Sequence, residues 1–142
     1  MDAPNEKFGP AGSTLRFLCY WATGSGSVGS DVFSDFAEIQ SILSQLEFEH
    51  GSLDIYRYPA PEAGPQLLKL TSDGRAYLLT LGELTASDYD VRVFDNGSDP
   101  QKLTEFCGEL YPAHSLFSDF QIAMNAIRGY FEVGDVSHHL LK

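Results

Sequence analysis

The sequence predicts an α+β fold, in which an antiparallel sheet of about five or six strands packs with two main helices. Two segments show helical spacing of apolar residues, and several short β-favouring runs separated by turn residues lie between them. The length of 142 residues suits one hydrophobic core and is too short for two. We assign residues 14–142 to a single domain and expect residues 1–13, which lack hydrophobic periodicity, to be a flexible tail.

The first strand is predicted over residues 14–22, a run rich in aromatic and apolar side chains. Small residues predict a loop over residues 23–30. Ser30 has the chemistry of a helix N-cap, and the charge of Asp31 suits the first turn of a helix. Apolar residues then recur at helical spacing, which predicts the first main helix over residues 31–46.

The middle of the chain predicts a series of antiparallel strands, at residues 53–58, 66–72, 75–83, 89–94 and 103–107. The sequences Asp73-Gly74 and Asp95-Asn96-Gly97 are typical of tight hairpins, because Gly and Asn reach positive φ at low cost. We therefore expect most of these strands to form a meander. Residues 75–81 are apolar on both faces except at Arg75 and Thr80, which predicts a central strand covered on both sides by the helices.

The second main helix is predicted near the C-terminus. Ser118 and Gln121 have the spacing of a capping box, Asp119 complements the helix dipole, and Gly134 supplies a stop. Its apolar stripe consists of Phe120, Ala123, Met124, Ile127, Tyr130 and Phe131. Burial of this stripe favours a structural role for the helix.

Bulk composition excludes several classes of partner. Twenty Asp and Glu against nine Lys and Arg give a formal net charge of −11, which disfavours binding to nucleic acid and to anionic membranes. The longest apolar runs are shorter than a membrane helix. The two cysteines, Cys19 and Cys107, lie in apolar stretches and are predicted to be buried free thiols. These features predict a soluble protein of a reducing compartment, the cytoplasm.

No local motif predicts catalysis. Gly24, Gly26 and Gly29 match a G-x-G-x-x-G pattern, but hairpins follow where a dinucleotide-binding domain would have parallel crossovers, so we interpret these residues as a connector. The histidines have no metal-ligand spacing, and the adjacent His138 and His139 must point in different directions. Neither a nucleophile elbow nor a C-x-x-C motif occurs. We predict no catalytic residues, no metal, no cofactor and no enzymatic activity.

Negative charge is the property that clusters. Residues 17–56 hold six acids and no Lys or Arg, and a second acidic cluster runs from Glu83 to Asp99, opposed only by Arg92. Such clusters form either an ordinary solvated surface or, together with interleaved tyrosines, a docking surface for a cationic partner. The candidate partner-binding residues are Glu83, Asp88, Tyr89, Asp90, Asp95 and Asp99, followed by Glu47 and Glu49.

A family resemblance accompanies these patterns. Residues 120–134, with Ala123, Ala126, the aromatic pair Tyr130-Phe131 and the closing Gly134, resemble the late helix of immunity proteins from bacterial polymorphic toxin systems. The similarity is greatest to the first-numbered immunity family or a close neighbour of it. Residues 72–83 and 88–92 resemble the same group of small proteins.

This resemblance implies a small, cytosolic, non-catalytic protein that binds a cognate toxin domain at or beside its active site. The leading hypothesis is an immunity protein whose acidic surface occludes a toxin with a basic surface, the oligomeric state being open. The alternative is a small enzyme or ligand-binding domain whose site is assembled from distant residues such as His50, Tyr111 and His114. A structural subunit of a larger assembly is the third possibility.

Overall fold

A computed structural model describes residues 15–142, so the tail predicted over residues 1–13 lies outside the described residues. The α+β fold is confirmed. The strands are β1 (Phe17–Thr23), β2 (Val28–Phe33), β3 (His50–Arg57), β4 (Gly64–Asp73), β5 (Tyr77–Leu84), β6 (Tyr89–Val93), β7 (Leu103–Phe106), β8 (Glu109–Pro112) and β9 (Leu116–Phe117). The α-helices are α1 (Gln40–Phe48) and α2 (Phe120–Val133). Short 3₁₀ turns precede α1 and β9.

The main sheet is antiparallel, with strand order β2-β1-β3-β4-β5-β6, and β9 also pairs with β5. The predicted meander is confirmed from β3 to β6, including the Asp73-Gly74 hairpin. It ends there, because β7 pairs with β8 in a separate hairpin. The hairpin predicted at Asp95-Asn96-Gly97 is therefore wrong, since no strand after this turn pairs with β6 within the described residues. The side chain of Asn96 instead donates hydrogen bonds to the carbonyls of Ala113 and Leu116, both at 2.9 Å.

The prediction of a helix over residues 31–46 is wrong in its first part. Residues 28–33 form β2, which pairs with β1 from Phe33 opposite Phe17 to Val28 opposite Ala22. The helical segment begins only after Asp35, whose carboxylate accepts the N–H of Ala37 at 3.1 Å. Pairing along β1 gives these residues a ladder of backbone hydrogen bonds along one edge and stacks the Phe33 ring on Trp21, which explains why sheet structure prevails over the helical spacing.

Both helices pack on the same face of the main sheet. The buried residues of α1 and α2 form one core cluster with strand residues of that face, such as Cys19, Ile55, Leu68 and Leu81. The prediction that residues 75–81 are covered on both sides is therefore wrong. Burial alternates from Tyr77 to Leu81, and the two residues of this stretch on the second face, Leu78 and Thr80, are only partly buried.

The C-terminal helix is confirmed, with one correction at its start. Asp119, and not Ser118, is the N-cap, since its carboxylate accepts the N–H of Gln121 at 3.0 Å. Gly134 ends the helix with a left-handed backbone, at φ 73°. The predicted apolar stripe is buried except at Met124, which is partly buried against the core.

Candidate partner-binding surfaces

The predicted acidic residues lie at two opposite ends of the main sheet. Glu83, Asp88, Tyr89 and Asp90 occupy the end where β5 stops and β6 begins, which we call the Tyr89 end. The remaining four lie at the other end, the Tyr77 end, where β5 begins and α1 stops. Glu83 lies six residue steps along β5 from Tyr77, and this distance is about 20 Å in an extended strand. The eight residues therefore do not form one patch.

At the Tyr89 end, Glu83 has a structural partner. Arg92 is 7% exposed, and its guanidinium donates hydrogen bonds to Glu83 and to Asp135, both at 2.9 Å. It also donates to the backbone carbonyls of Val136, at 2.5 Å, and Leu141. The single basic residue of the second acidic cluster is thus buried inside the fold, where it holds the C-terminal segment against β6.

Asp88 and Asp90 remain exposed at the same end. Asp88 shapes the β5–β6 turn, since its carboxylate accepts the N–H of Tyr89 at 2.8 Å. Asp90 has no side-chain hydrogen bond or ion pair with any of residues 15–142. The Tyr89 ring is 44% exposed and lies over Gly82, where an added Cβ would come within 1.8 Å of the tyrosine hydroxyl. These side chains present two carboxylates and an aromatic ring to solvent.

At the Tyr77 end, most of the acidic side chains support local structure. Glu49 accepts the N–H of Ser25 at 2.8 Å, and Asp99 accepts that of Gln101 at 2.9 Å. Asp95 accepts the N–H of Gly97, which holds the pKa of this carboxyl below its ordinary value, and His114 contributes to the same direction. Glu47 lies in the last turn of α1, where its carbonyl accepts a hydrogen bond from the hydroxyl of Tyr77.

Over residues 15–142, the second face of the main sheet carries no helix and is rich in tyrosine. We call it the open face, and strand register places the following residues on it: Leu18, Tyr20, Asp54, Tyr56, Leu67, Lys69, Thr80, Tyr89 and Val91. The exposed fraction is 46% for Tyr20 and 56% for Val91. Exposed tyrosines on a sheet face are typical of protein-binding surfaces. Because Tyr89 belongs to both surfaces, the open face is continuous with the Tyr89 end.

A carboxylate lies among the tyrosines of the open face. Asp54 pairs with Tyr20 in the register of β3 with β1, and Tyr56 follows two residues later on the same face. The rings of Tyr20 and Tyr56 meet edge to face, with centroids 6.0 Å apart. Burial raises the pKa of Tyr56, and the nearby carboxylate of Asp54 raises it further.

A groove borders this group. It has a volume of about 490 Å³, and its lining is Leu18, Tyr20, Tyr56, Arg57, Tyr58, Pro59 and Ala60. Tyr58 is 45% exposed, and the guanidinium of Arg16 lies 5.4 Å from the centre of its ring. The groove extends the aromatic surface beyond the edge of β3.

The residues considered for catalysis lie apart. His50 begins β3 beside Gly24, His114 lies 3.5 Å from Asp95, and Tyr111 packs edge-on against Phe106 in the β7–β8 hairpin. Over residues 15–142 no group of three or more His, Cys, Asp or Glu side chains could hold a metal ion.

The glycine motif and the cysteines also have defined places. Gly24, Gly26 and Gly29 belong to the β1–β2 hairpin, and no helix N-terminus follows them. Cys19 is buried as predicted, and burial raises its pKa to about 12. The prediction that Cys107 is buried is wrong, because this residue lies in the β7–β8 turn with φ 53° and is exposed. No helix within the described range is long and apolar enough to cross a membrane.

Comparisons with known proteins place this chain in a family. The profile of a family of unknown function (DUF6911) matches residues 20–140, most of the chain. The chain belongs to DUF6911. A crystal structure of a hypothetical protein from Neisseria gonorrhoeae is similar to this DUF6911 member, with a TM-score of 0.69 and 19% sequence identity. The match covers 94% of this chain and 97% of that one, and at this identity it shows a shared fold alone. No curated protein matches the DUF6911 chain.

The grouping of Asp54 with Tyr20 and Tyr56 is not evident from the sequence, in which Asp54 is one of six acids between residues 17 and 56. A signal was present in the alternation of Asp54 and Tyr56, which places both side chains on one face of a strand. Tyr20 could not be added without the register of β1 with β3, which joins residues 34 positions apart.

Proposed function

We propose that this protein is a cognate immunity protein, which binds a secreted bacterial toxin domain and neutralises it by occluding its active site with an acidic surface. The burial of Arg92 carries the proposal. This residue is the one basic side chain between Glu83 and Asp99, and its charge is taken up by Glu83 and Asp135 inside the fold. Asp88 and Asp90 are thereby left exposed at the Tyr89 end without a neighbouring cation from their own cluster.

An exposed anionic surface suits a toxin whose cleft binds phosphates. Such a cleft is positively charged, and carboxylates can occupy the places that phosphates would take. The overall charge of −11 would speed the encounter, since complementary fields raise association rates towards about 10⁸–10⁹ M⁻¹s⁻¹ at low salt. The open face supplies the aromatic contact area that a stable complex needs.

Co-expression tests the function directly. We expect the gene for this chain to lie beside one for a large secreted protein with a C-terminal toxin domain. That domain should arrest growth of a bacterial host, and this chain should restore growth and purify with the domain as a complex. Absence of both rescue and complex would refute the proposal.

A matched pair of variants tests which end of the sheet binds. Asp88→Asn with Asp90→Asn removes two charges at the Tyr89 end, and Asp95→Asn with Asp99→Asn removes two at the Tyr77 end. Asparagine keeps the acceptor oxygen, so the turns at Asp88, Asp95 and Asp99 should persist. We expect the first variant to slow toxin association by about three- to tenfold at low salt and the second by less. Equal effects of the two double variants would show that these charges only accelerate the encounter with the toxin, and that neither end of the sheet is the binding site.

A further inference from the structure

Strand β2 is one edge of the main sheet, and half of its backbone groups point away from β1. The N–H of Thr23 donates to the carbonyl of Ser27 at 2.9 Å, which sets the alternation of the β1–β2 ladder. In this phase every second residue of β2 directs its N–H and C=O groups outward: Val28, Ser30 and Val32. Among residues 15–142, the outward groups of Val28 and Ser30 make no hydrogen bond. Such a row of unpaired groups is a template for another strand.

The opposite edge of the main sheet is blocked by the chain itself. The N–H of Lys142 donates to the carbonyl of Val93 in β6 at 3.0 Å, and Arg92 binds the carbonyls of Val136 and Leu141 in the same C-terminal segment. A strand added along β6 would have to displace this segment. No described segment lies along the outer side of β2 in the same way, and β2 contains no Lys, Arg or Pro, which commonly protect sheet edges.

The free edge also carries exposed apolar side chains. The exposed fraction is 75% for Val28 and 38% for Val32. Both belong to the open-face side of β2, because alternate residues of a strand share a face and Val32 lies opposite Leu18. A strand that pairs with β2 would therefore satisfy the outward backbone groups and cover two valines at the same time.

A second copy of the chain fits this edge, because β2 is self-complementary about Ser30. In an antiparallel pair with Ser30 opposite Ser30 of the partner subunit, each Val28 lies opposite Val32 of the partner subunit. Each Asp31 then lies opposite Gly29 of the partner subunit, so the carboxylate does not directly face a like charge. The outward residues of both strands meet in phase, and each pair of them can exchange two N–H···O bonds.

We propose that two copies of this chain pair antiparallel through β2 and join their main sheets into one continuous sheet. The N–H of Val32, which the Asp31 carboxylate now accepts at 2.8 Å, passes to the carbonyl of Val28 of the partner subunit, and the exposed carboxylate turns to solvent. The Tyr89 end of each copy lies far from this seam, at the other edge of its sheet. The dimer therefore goes beyond the proposed function and does not rest on it.

The expected affinity is modest, and its dependence on salt is distinctive. A single pair of strands buries less than the roughly 1,200 Å² of a standard interface, so we expect a dissociation constant of about 1–100 μM. Each copy has a net charge of −11, and salt screens the repulsion between two such copies. The dissociation constant should fall by about threefold or more when NaCl rises from about 0.05 M to about 0.5 M. Binding to a basic toxin should respond in the opposite direction.

Sedimentation equilibrium of the full-length chain tests the dimer with two matched variants. Val28→Lys places a lysine on the β2 edge, and Val91→Lys places one on β6, where Val91 is 56% exposed. Both substitutions change the net charge equally. Because the seam is symmetric, it contains the first substitution twice, and we expect the dissociation constant to rise at least about tenfold in Val28→Lys. In Val91→Lys it should stay within about twofold of the wild type.

Hydrogen exchange tests the register within a single strand. The amide of Ser30 points outward, so its exchange should slow by about tenfold or more when the protein concentration rises from below to above the dissociation constant. In Val28→Lys the same amide should exchange fast at all concentrations tested. The amides of Gly29 and Asp31 face β1 and should stay protected in both proteins, which reports that the fold persists.

Several results would overturn the dimer. These are a monomer at concentrations up to about 1 mM, equal weakening by the two lysine variants, dissociation as salt rises, or Ser30 exchange that is independent of concentration. Protection of Ser30 in a monomer that disappears on removal of residues 1–14 would assign the edge to that segment instead.

The dimer and the proposed function fail separately. Dimerisation as expected, with no rescue from the toxin, would refute the function and leave the dimer standing. Rescue by a chain that stays monomeric would refute the dimer and leave the function standing. Loss of toxin binding in Val28→Lys, with a monomeric wild type, would assign the β2 edge to the toxin and overturn the dimer.

Discussion

Replacing Arg92 with methionine should destabilise the fold substantially, because this guanidinium joins three parts of the chain. The side chain is 9% exposed and donates to the carboxylates of Glu83 and Asp135 and to the carbonyls of Val136 and Leu141. Methionine keeps most of the aliphatic stem and removes the charge and all of these hydrogen bonds. The variant therefore isolates the polar contribution from the packing contribution.

The expected loss is about 3 kcal/mol in the free energy of unfolding. Removing one partner of a buried ion pair costs about 3–5 kcal/mol, since it leaves the other charge buried and uncompensated. The lower end applies here, because the side chains of Glu83 and Asp135 are 24% and 46% exposed and water can solvate them in the variant. With a urea m-value of about 2 kcal/mol/M, the unfolding midpoint would fall by about 1.5 M.

Urea unfolding followed by fluorescence measures this loss, and Arg128→Met is the matched control. Arg128 is exposed and lies over the Phe36 ring at 5.1 Å, so its replacement should cost less than about 1 kcal/mol. Hydrogen exchange should also show faster opening of the segment from Val136 to Leu141 in Arg92→Met. A loss below about 1 kcal/mol in Arg92→Met would refute the view that this residue secures the C-terminal segment.

Three further changes have defined outcomes. Asp119→Ala should lower the free energy of unfolding by about 1 kcal/mol through loss of the N-cap, whereas Ser118→Ala should leave it unchanged; equal effects in chemical denaturation would contradict the assignment. Tyr130→Phe should leave the free energy of unfolding unchanged or raise it by up to about 1 kcal/mol, because the buried hydroxyl has no hydrogen-bond partner within residues 15–142. A loss above about 1 kcal/mol would show that the hydroxyl does have a partner. Cys107 should react with a thiol reagent in the native protein, whereas Cys19 should react only after unfolding. Burial and nearby acids raise the pKa of Cys107, so its reaction rate should increase from pH 7 to pH 9. A rate that does not change with pH over this range would contradict the prediction.

The elements that the sequence predicted well are those whose signals are local. The turn at Asp73-Gly74 and the stop at Gly134 depend on backbone conformations that glycine adopts cheaply, at φ 93° and φ 73°. The stripe of α2 repeats over several turns, so its burial could be predicted from spacing alone.

The errors arose where a distant segment decides the local structure. Residues 28–33 have apolar spacing compatible with a helix, but β1 offers them a ladder of backbone partners along one edge. Sequence spacing likewise could not show that both helices lie on one face of the sheet, because a run that is apolar on both faces is consistent with one or two covering layers. The open face is a consequence of that choice.

The candidate site divides in the same way. Acidic clustering around Asp88 and Asp90 was evident from the sequence, and whether these residues bind a partner stays a prediction. Two other features depend on contacts between distant segments. Arg92 turns inward to Glu83 because of the path of the C-terminal segment, and strand register places Asp54 beside the tyrosines.

Composition and neighbours along the chain were enough to predict the fold class, the turn at Asp73-Gly74, the helix stop at Gly134 and the large excess of negative charge. Tertiary structure alone decided which charges are neutralised internally, which sheet face stays uncovered, and which side chains meet there. The physical reason is that burial and electrostatic pairing depend on distances between segments that are far apart in the chain, and only packing sets those distances.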